Sequence, residues 1–422
     1  MKKLILISLT VLMMLSLVAC GSGNDEPTVS EGPVTVSLWH TYSDHHNEFL
    51  NNMITEFNES QNEVFVEVIQ KPSQDFDAAL LQALRNGQGP DICGRFATNI
   101  ADYIVDDLIV DFKPYIEGEN GIPNFEENLI GRLYDEMTQW GDGLYAIPVI
   151  CTSEVFYYNK TMFDTYGLEV PTTWEELENV ARVLYAQTGY PGFGTDANID
   201  TFQGLLMQNG SGYINAETKS MEVNEEVSLE QLQWYADCLA EGIFREPGDD
   251  YYLSGPFTSQ VVGSYIGSSA GIGFATPAEG TFELGVAPIP QADPENNPYV
   301  SSWGGGYVCF KSTPEREEAA YKFLKWYAQP ENCSRWAVQF GAMPAYEDAL
   351  ETELFQEYKE TNLAVKALYD QKDNVNWLSS IPGSAAVRLH IKQMLAEVSL
   401  NGVDAKTAYD AFIEACNADL NQ

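Results

Sequence analysis

The chain has 422 residues, of which 45% are hydrophobic and 12% aromatic, and it carries a formal net charge of −40. The hydrophobic content is typical of a globular protein and excludes a disordered acidic tail. The excess of negative charge argues against binding to nucleic acid and against adsorption to anionic lipids, because both of these surfaces are themselves negative.

The first 33 residues have the order of an export signal followed by a tether. Two lysines precede an apolar run, residues 4–18, that suits the core of a secretion signal and is too short to span a bilayer. The run ends in Leu-Val-Ala-Cys, which resembles a lipobox, so residues 1–19 are predicted to be a lipoprotein signal peptide and Cys20 to be acylated. An ordinary signal peptide followed by an incidental cysteine is the alternative. Residues 20–33 are rich in Gly, Ser, Glu and Pro, which predicts a flexible tether.

The mature chain is long enough for two domains. Removal of residues 1–19 from 422 leaves 403 residues, more than one hydrophobic core usually serves. The loss of Lys2 and Lys3 moves the formal charge from −40 to −42. The remaining sequence contains no second apolar stretch long enough to cross a membrane.

Six cysteines remain besides Cys20, and their wide spacing leaves no Cys-x-x-Cys metal or redox motif. An even number outside the cell permits disulfides, but a core of this size does not require them. We expect mostly free, buried thiols, with disulfides as the alternative. The six are Cys93, Cys151, Cys238, Cys309, Cys333 and Cys416.

The first part of the mature chain predicts alternating strands and helices. Residues 34–39 alternate between apolar and polar side chains, as a half-buried strand does. Ser43 or Asp44 can cap the helix that follows, and residues 64–69 form the next strand. Two strands joined by a helix predict a parallel pair with a right-handed crossover. A second helix ends at Gly87, and a third strand follows it.

Later elements begin with clear helix-start signals. Thr173 and Glu176 predict a capping box, in which each side chain bonds to the backbone of the other residue. Pro314 is placed to open a helix at its first position. Helices over about 385–400 and 404–420 close the chain. The pattern as a whole is mixed α/β with parallel βαβ units.

The chain lacks the motifs of several enzyme classes. It has no nucleophile elbow, phosphate-binding loop, dinucleotide-binding glycine pattern or zinc-protease motif. With 62 acidic residues, carboxylate pairs are inevitable and no glycosidase pair can be picked out, although Glu154 is of interest at a predicted strand start. His40, His45 and His46 do not predict a metal site, because adjacent residues on a helix point apart. No metal or cofactor is expected.

Aromatic side chains give the first indication of a binding site. Trp39, Trp303 and Trp377 lie at strand ends or in loops rich in Gly, Ser and Asn. Sugar rings present apolar C–H faces and hydroxyl rims, which aromatic rings and planar polar side chains can hold. A structural role is an equal alternative for each of the three. Tryptophans on helical stripes are expected in the core instead, and these are Trp174, Trp234, Trp326 and Trp336.

Eight short segments follow the lipobox in a fixed order. They are LWH (38–40), NGQGPDI (86–92), GLYAIP (143–148), YYNKTMF (157–163), GLEVPTTWEEL (167–177), AAYKFLKW (319–326), PEN (330–332) and GAMP (341–344). Together they resemble the solute-binding proteins of carbohydrate ABC importers, extracellular solute-binding protein family 1. The resemblance runs from about Val34 to the C-terminus and is nearest to the branch that binds glycerol 3-phosphate or sugars.

The resemblance implies a type II periplasmic-binding-protein-like fold, with two α/β lobes, a ligand cleft between them and three hinge crossings. Closure on the ligand is then a hinge motion. By position, the crossings are expected near residues 148–153, 262–270 and 302–311. The lobes are accordingly expected to comprise residues 34–149 with 264–305, and residues 150–263 with 306–422.

Candidate ligand contacts come from the resemblance and from the rule that open α/β sheets bind ligands at the carboxyl ends of their strands. The rule favours His40, Tyr42, Asp44, Arg95, Phe96 and Ser153. Segments that match ligand contacts of the glycerol-phosphate branch add Ser268 or Ser269, Gly304 or Gly305, and Met343. Glu154, Trp303, Trp377 and Arg388 complete the predicted set.

The function implied by the resemblance is capture of an extracellular mono- or oligosaccharide and its delivery to an ABC importer permease, without catalysis. Two departures from the glycerol-phosphate branch favour a neutral sugar. Ala342 stands where that branch has a tyrosine, and Ser380 stands where it has a phosphate-binding arginine. Arg95 and Arg388 leave an acidic sugar or a glycerol phosphate as an alternative ligand.

Two further alternatives stay open, an extracellular glycan-active enzyme and a protein that presents a ligand to a sensor kinase. The expected partners are the carbohydrate, the permease subunits and, through the lipid anchor, the membrane, with no nucleic acid. We expect a monomer that is lipid-anchored at the extracytoplasmic face of the bacterial cell membrane.

Overall fold

The structure of the protein is a computed structural model, which describes residues 32–303 and 305–421. The predicted signal peptide, Cys20 and tether residues 21–31 lie outside the described residues, as does Gly304. The chain from Val34 onward forms one compact unit. Among the described residues, no helix combines the length and the apolar character needed to cross a bilayer.

The strands are, in chain order, β1 (Val34–His40), β2 (Val64–Gln70), β3 (Ile92–Phe96), β4 (Ile147–Pro148), β5 (Ile150–Cys151), β6 (Glu154–Asn159), β7 (Phe193–Gly194), β8 (Ile214–Asn215), β9 (Ser220–Met221), β10 (Phe244–Arg245), β11 (Ser264–Ser268), β12 (Leu284–Ala287), β13 (Val300–Ser301), β14 (Gly305–Cys309), β15 (Met343–Pro344) and β16 (Val375–Asn376). The helices are α1 (Asp44–Ser60), α2 (Phe76–Arg85), α3 (Ala97–Val105), α4 (Lys113–Ile116), α5 (Phe125–Asn128), α6 (Leu133–Thr138), α7 (Lys160–Tyr166), α8 (Trp174–Thr188), α9 (Asn198–Gln208), α10 (Glu225–Ala240), α11 (Ser254–Thr258), α12 (Ile272–Ala275), α13 (Pro314–Tyr327), α14 (Pro330–Phe340), α15 (Glu347–Leu350), α16 (Glu353–Thr361), α17 (Leu363–Asp370), α18 (Ser384–Ser399) and α19 (Ala405–Leu420).

The first lobe is built on a five-stranded sheet with the order β2-β1-β3-β14-β4. β1 runs parallel to both β2 and β3, which confirms the predicted parallel pair. β14 pairs antiparallel with β3 and β4. Helix α13 packs against β1, β2 and β14, because its apolar face carries the buried residues Ala320, Phe323 and Leu324.

The second lobe is built on a three-stranded antiparallel sheet with the order β11-β6-β12. Val155, Phe156 and Tyr157 of the central strand β6 are all fully buried. Helix α17 packs against β6 and β12, while α9, α10, α18 and α19 pack on one another. The parallel arrangement predicted from the sequence therefore applies to the first sheet, and not to this one.

The chain passes between the lobes three times, first between β4 and β6, then between β12 and β14, and finally between α14 and α17. The positions of the crossings near 148–153 and 302–311 stay predictions. The crossing predicted near 262–270 is wrong, because β11 in that segment pairs along the whole length of β6.

The lobe boundaries predicted from the sequence change for the same reason. β11 and β12 belong to the second sheet, so residues 264–305 do not all join the first lobe. β14 and α13 belong to the first lobe, although the range 306–422 was expected in the second. Short apolar strands have the same local pattern in either sheet, and only their non-local partner decides which sheet they join.

Predictions that rest on local signals are confirmed. Thr173 accepts a hydrogen bond from the Glu176 backbone N–H, and the Glu176 carboxylate accepts one from the Thr173 N–H, both at 3.2 Å. Pro314 is the first residue of α13. All six cysteines are buried and free. The tryptophans expected in the core are buried there or pack against it, namely Trp174, Trp234, Trp326 and Trp336.

Candidate functional site

A cavity of about 490 Å³, here called the cleft cavity, opens where β1 and β3 end. The two strands are parallel, so the residues that follow them meet at the same edge of the sheet. The connections between the lobes add Thr152 and Trp303 to the lining, and Ala270 reaches it from the second lobe. The cavity therefore lies where the two lobes and their connections meet.

Arg95 supplies positive charge to the cleft cavity. Its side chain is almost fully buried, and its guanidinium forms an ion pair with Asp77 in the first turn of α2. The guanidinium carbon also lies 5.4 Å from the ring centre of Phe76. The Nε atom of Arg95 is buried without a hydrogen-bond partner. Asp77 thus neutralises the charge, while one donor of Arg95 stays unused.

His40 contributes a neutral ring with a second unused donor. Its Nδ1 accepts a hydrogen bond from the backbone N–H of Tyr42 at 3.1 Å, which assigns the proton to Nε2. Burial lowers the pKa of His40, so the imidazole is neutral at pH 7. Nε2 is buried without a partner. Tyr42 is hydrogen-bonded to Tyr307, and burial raises the pKa of Tyr42 to about 12.

Aromatic rings form much of the remaining lining. Tyr42 packs edge-on against Trp336 and Phe340, with ring centres 5.6 and 5.0 Å apart. The side chain of Phe96 is 56% exposed beside the cavity. The indole of Trp39 also lines it. The cavity therefore presents apolar ring surfaces next to a few fixed polar groups, the usual composition of a small-molecule site.

Trp303 connects the cleft cavity to a charged cluster in the second lobe. Its indole Nε1 donates to Oδ1 of Asp200 at 3.4 Å. Arg388 donates to both carboxylate oxygens of Asp200, at 3.0 and 2.8 Å, and to the side-chain oxygen of Gln203 at 2.9 Å. Asp200 is buried, and its ion pair with Arg388 holds the carboxylate that accepts the hydrogen bond from the Trp303 indole.

Glu154 lies at the start of β6, close to the same cluster. It is buried, and its Oε1 has no hydrogen-bond partner. Burial raises the pKa of Glu154 well above its usual value, and the negative charge of Asp200 raises it further, whereas Arg388 lowers it. Within residues 32–303 and 305–421, no group of His, Cys, Asp and Glu side chains is arranged to hold a metal ion.

Six of the residues predicted for the site line the cleft cavity, and these are His40, Tyr42, Arg95, Phe96, Trp303 and Gly305.

The other predicted site residues lie elsewhere. Asp44 is exposed at the start of α1, and Met343 is fully buried in β15. Ser153 and Ser269 are buried beside the first passage, where the Ser269 N–H donates to the Ser153 carbonyl at 2.9 Å. Gly304 lies outside the described residues. Glu154, Trp377 and Arg388 do not line the cavity.

Several lining residues were not predicted from the sequence. Asp77 comes from the first turn of α2, and Tyr307 comes from β14. Trp336 and Phe340 lie one turn apart on α14, and Trp336 was expected only in the core. No motif marks Asp77 or Tyr307. Trp336 and Phe340 are aromatic residues four positions apart at the end of a helix, and this spacing could have indicated that they lie side by side.

Residues 52–363 match the sequence profile of the family described as bacterial extracellular solute-binding protein. The chain belongs to this family. This solute-binding protein is 24% identical over 356 residues to the maltotriose-binding protein of Pyrococcus abyssi. The aligned region covers 78% of this chain and 68% of that protein. It is 24% identical over 425 residues to the sn-glycerol-3-phosphate-binding periplasmic protein UgpB of Pectobacterium atrosepticum. That alignment covers 93% of this chain and 93% of the relative.

A solved structure has the same two-lobed architecture as this solute-binding protein. The cyclic alpha-maltosyl-1,6-maltose binding protein from Arthrobacter globiformis superimposes with a TM-score of 0.80. The superposition covers 92% of this chain and 99% of that one at 23% sequence identity. The similarity confirms the fold that the sequence motifs predicted.

Proposed function

We propose that this solute-binding protein captures an extracellular carbohydrate, a mono- or oligosaccharide, and delivers it to the permease of an ABC importer without transforming it. The observation that carries the proposal is the cleft cavity, where the rings of Phe96 and Trp303 stand beside the unpaired donors of His40 and Arg95. Sugar C–H faces pack on aromatic rings, and hydroxyl oxygens accept from such donors. The maltotriose-binding relative supports the same ligand class.

A neutral ligand is favoured over an anionic one, because the two arginines predicted for the site are already paired. Arg95 is bound to Asp77, and Arg388 is bound to Asp200. Phosphate or carboxylate recognition needs cationic donors that are free to make bidentate contacts. Neither guanidinium can make bidentate contacts to an anion without breaking its ion pair. A ligand with neutral hydroxyl groups therefore fits these side chains better than an anionic ligand.

An acidic sugar or a glycerol phosphate is the second candidate, and one observation favours it. The Nε of Arg95 is buried without a partner, while the side chain of its counter-ion Asp77 is 64% exposed. An anion that displaced Asp77 would gain this donor. The glycerol-phosphate-binding relative is consistent with that ligand class.

Calorimetric titration of the soluble domain with neutral saccharides, uronic acids and glycerol phosphates distinguishes these ligands. We expect micromolar binding of a neutral saccharide, equivalent to about −8 kcal/mol. Trp303→Ala should weaken it at least tenfold, whereas Trp234→Phe, a change at a tryptophan outside the cleft cavity, should leave it unchanged. Binding of anionic ligands alone would favour the second candidate, and release of new products by chromatography would identify an enzyme.

The proposal includes acylation of Cys20, attachment to the extracytoplasmic face of the membrane and a monomeric state. Two acyl chains give stable anchoring, since each buried methylene contributes about 0.8 kcal/mol. We expect Cys20→Ser to release the protein from the membrane fraction without changing ligand affinity. Crosslinking in cells should recover permease subunits, and recovery of a sensor kinase instead would favour a presenting role.

A further inference from the structure

Three aromatic side chains of the second lobe, here called the rim aromatics, are strongly exposed to solvent. Tyr251 is 81% exposed, Phe274 is 77% exposed and Tyr252 is 67% exposed. Within residues 32–303 and 305–421, no other Phe, Tyr or Trp side chain is as exposed. Burial of such large rings is favourable, so three exposed rings in one region mark a surface that is free to bind a ligand.

The rim aromatics lie on segments that are packed together beside the cleft cavity. Tyr251 and Tyr252 come just before α11, which contacts α12, the helix that carries Phe274. Ala270, two residues before α12, lines the cavity. The backbone N–H of Leu253 donates to Oδ1 of Asp196 at 2.6 Å, and the backbone N–H of Asp196 donates to the carbonyl of Ile266 in β11, which joins the tyrosine segment to the sheet of the second lobe.

The two tyrosines are held outward by a defined turn. An ion pair between Arg245 and Asp250, at 2.6 Å, fixes the turn on one side, and the Leu253 contact with Asp196 fixes it on the other. Tyr251 has a φ of +62°, in the left-handed region that bulky residues rarely adopt. Such a conformation persists only where the surroundings impose it, and ligand clamps are among the places where it occurs.

We propose that the rim aromatics bind the part of an oligosaccharide that extends out of the cleft cavity. This inference rests on the proposed function and specifies the ligand as a chain longer than the cavity holds. A volume of about 490 Å³ lies within the range of pockets for drug-sized ligands, which suits a short saccharide. Further sugar units extend out of the cavity past Ala270, the lining residue four positions before Phe274, and the exposed rings offer faces for their C–H surfaces.

The test measures affinity against chain length, using malto-oligosaccharides and cello-oligosaccharides of two, three, five and seven units. Calorimetry is run on the wild-type soluble domain, on Tyr251→Ala/Tyr252→Ala and on Phe274→Ala. The matched control is Tyr190→Ala, an exposed tyrosine on the connection between α8 and β7. Thermal melting of each variant establishes that it is folded.

We expect wild-type affinity to rise between three and seven units in one of the two series. Each rim variant should bind the seven-unit chain about three- to tenfold more weakly, as the contact energy of one or two rings implies, and should bind the two-unit chain like the wild type. The control should follow the wild type at every length.

An affinity that does not change with length, an equal loss at all lengths in the rim variants, or no loss in them would overturn the inference while leaving carbohydrate capture intact. Absence of binding in both series would also overturn it. The wider ligand panel then decides separately whether the proposed function fails as well.

Discussion

The carboxylate of Asp200 accepts one hydrogen bond from each terminal nitrogen of Arg388, at 3.0 and 2.8 Å. The same Oδ1 atom also accepts from the indole of Trp303, which lines the cleft cavity. Arg388 was predicted to contact ligand, and this geometry gives it a supporting role as well. It holds Asp200, and Asp200 fixes the orientation of the Trp303 ring.

Removal of the negative charge at Asp200 should therefore reduce both stability and ligand affinity. Asp200→Asn keeps the shape of the side chain but leaves the Arg388 guanidinium without a counter-ion. Exposed ion pairs contribute at most about 1 kcal/mol, and loss of one partner of a fully buried pair costs about 3–5 kcal/mol. Because the Arg388 side chain is 35% exposed, we expect a loss of about 2 kcal/mol in the free energy of unfolding, measured in urea.

The matched control for this change is Arg182→Gln. Arg182 is ion-paired with Glu178 and Glu241 on the surface, so its loss should lower the unfolding free energy by less than about 1 kcal/mol. Equal effects of the two variants would contradict a supporting role for Asp200. Unchanged saccharide affinity in Asp200→Asn would show that Trp303 does not depend on this bond.

A structural feature could be predicted from the sequence when residues close to one another in the chain determine it. The first βαβ unit and the capping box at Thr173 were predicted because residues close in the chain determine them. The assignment of β11 to a lobe failed, because its partner β6 lies more than a hundred residues away and the strand pattern does not identify it. Site residues at strand ends, such as Arg95, were predicted for the same local reason. Asp77 was not, because its approach to Arg95 depends on how α2 packs on the sheet.

Glu136 should make the stability of the protein depend on pH. The carboxyl group is buried on α6 and accepts a hydrogen bond from the Ser302 hydroxyl at 2.9 Å. Burial raises the pKa of Glu136 to about 8. In the unfolded chain the group loses its proton near its usual pKa of about 4.3, so between that pH and about 8 the native state retains a proton that the unfolded state has lost.

The stabilising contribution of protonated Glu136 is therefore complete at low pH and is lost as the pH rises through about 8. Relative to Glu136→Gln, the unfolding free energy of the wild type should fall between pH 5 and pH 8, by at most about 1.4 kcal/mol per pH unit. Urea titrations at pH 5, 6, 7 and 8 measure this difference. Glu126→Gln, at an exposed position on α5, should give no comparable trend.

The free cysteines should be unreactive in the native protein. Cys93 lines the cleft cavity but is only 1% exposed, and burial raises its pKa to about 11. Burial raises the pKa of Cys151 to about 12. Thiolate, the reactive form, is therefore scarce at pH 8. A thiol reagent should label none of the six cysteines of the soluble domain within minutes and all six in denaturant, as mass spectrometry can count. Rapid labelling of Cys93 in the native state would show that the cleft cavity opens more widely.

Gly341, which ends α14, should be needed for correct packing beside the cleft cavity. Its φ is +62°, and a Cβ atom placed there would lie 3.1 Å from the Cα of Ala270, a residue of the cavity lining. Gly341→Ala therefore combines an unfavourable backbone conformation with a close contact against another segment of backbone. Gly189 ends α8 with a φ of +75° but has no atom within 4 Å of its added Cβ, so Gly189→Ala isolates the conformational cost.

We expect Gly189→Ala to lower the free energy of unfolding by about 1 kcal/mol and to leave ligand affinity unchanged. Gly341→Ala should cost about 2–3 kcal/mol, because the added methyl group must push the end of α14 away from Ala270. The same displacement alters the wall of the cleft cavity, so saccharide binding should weaken as well. Equal losses of stability in the two variants, with equal affinities, would mean that α14 and the Ala270 segment can separate without disturbing the binding site.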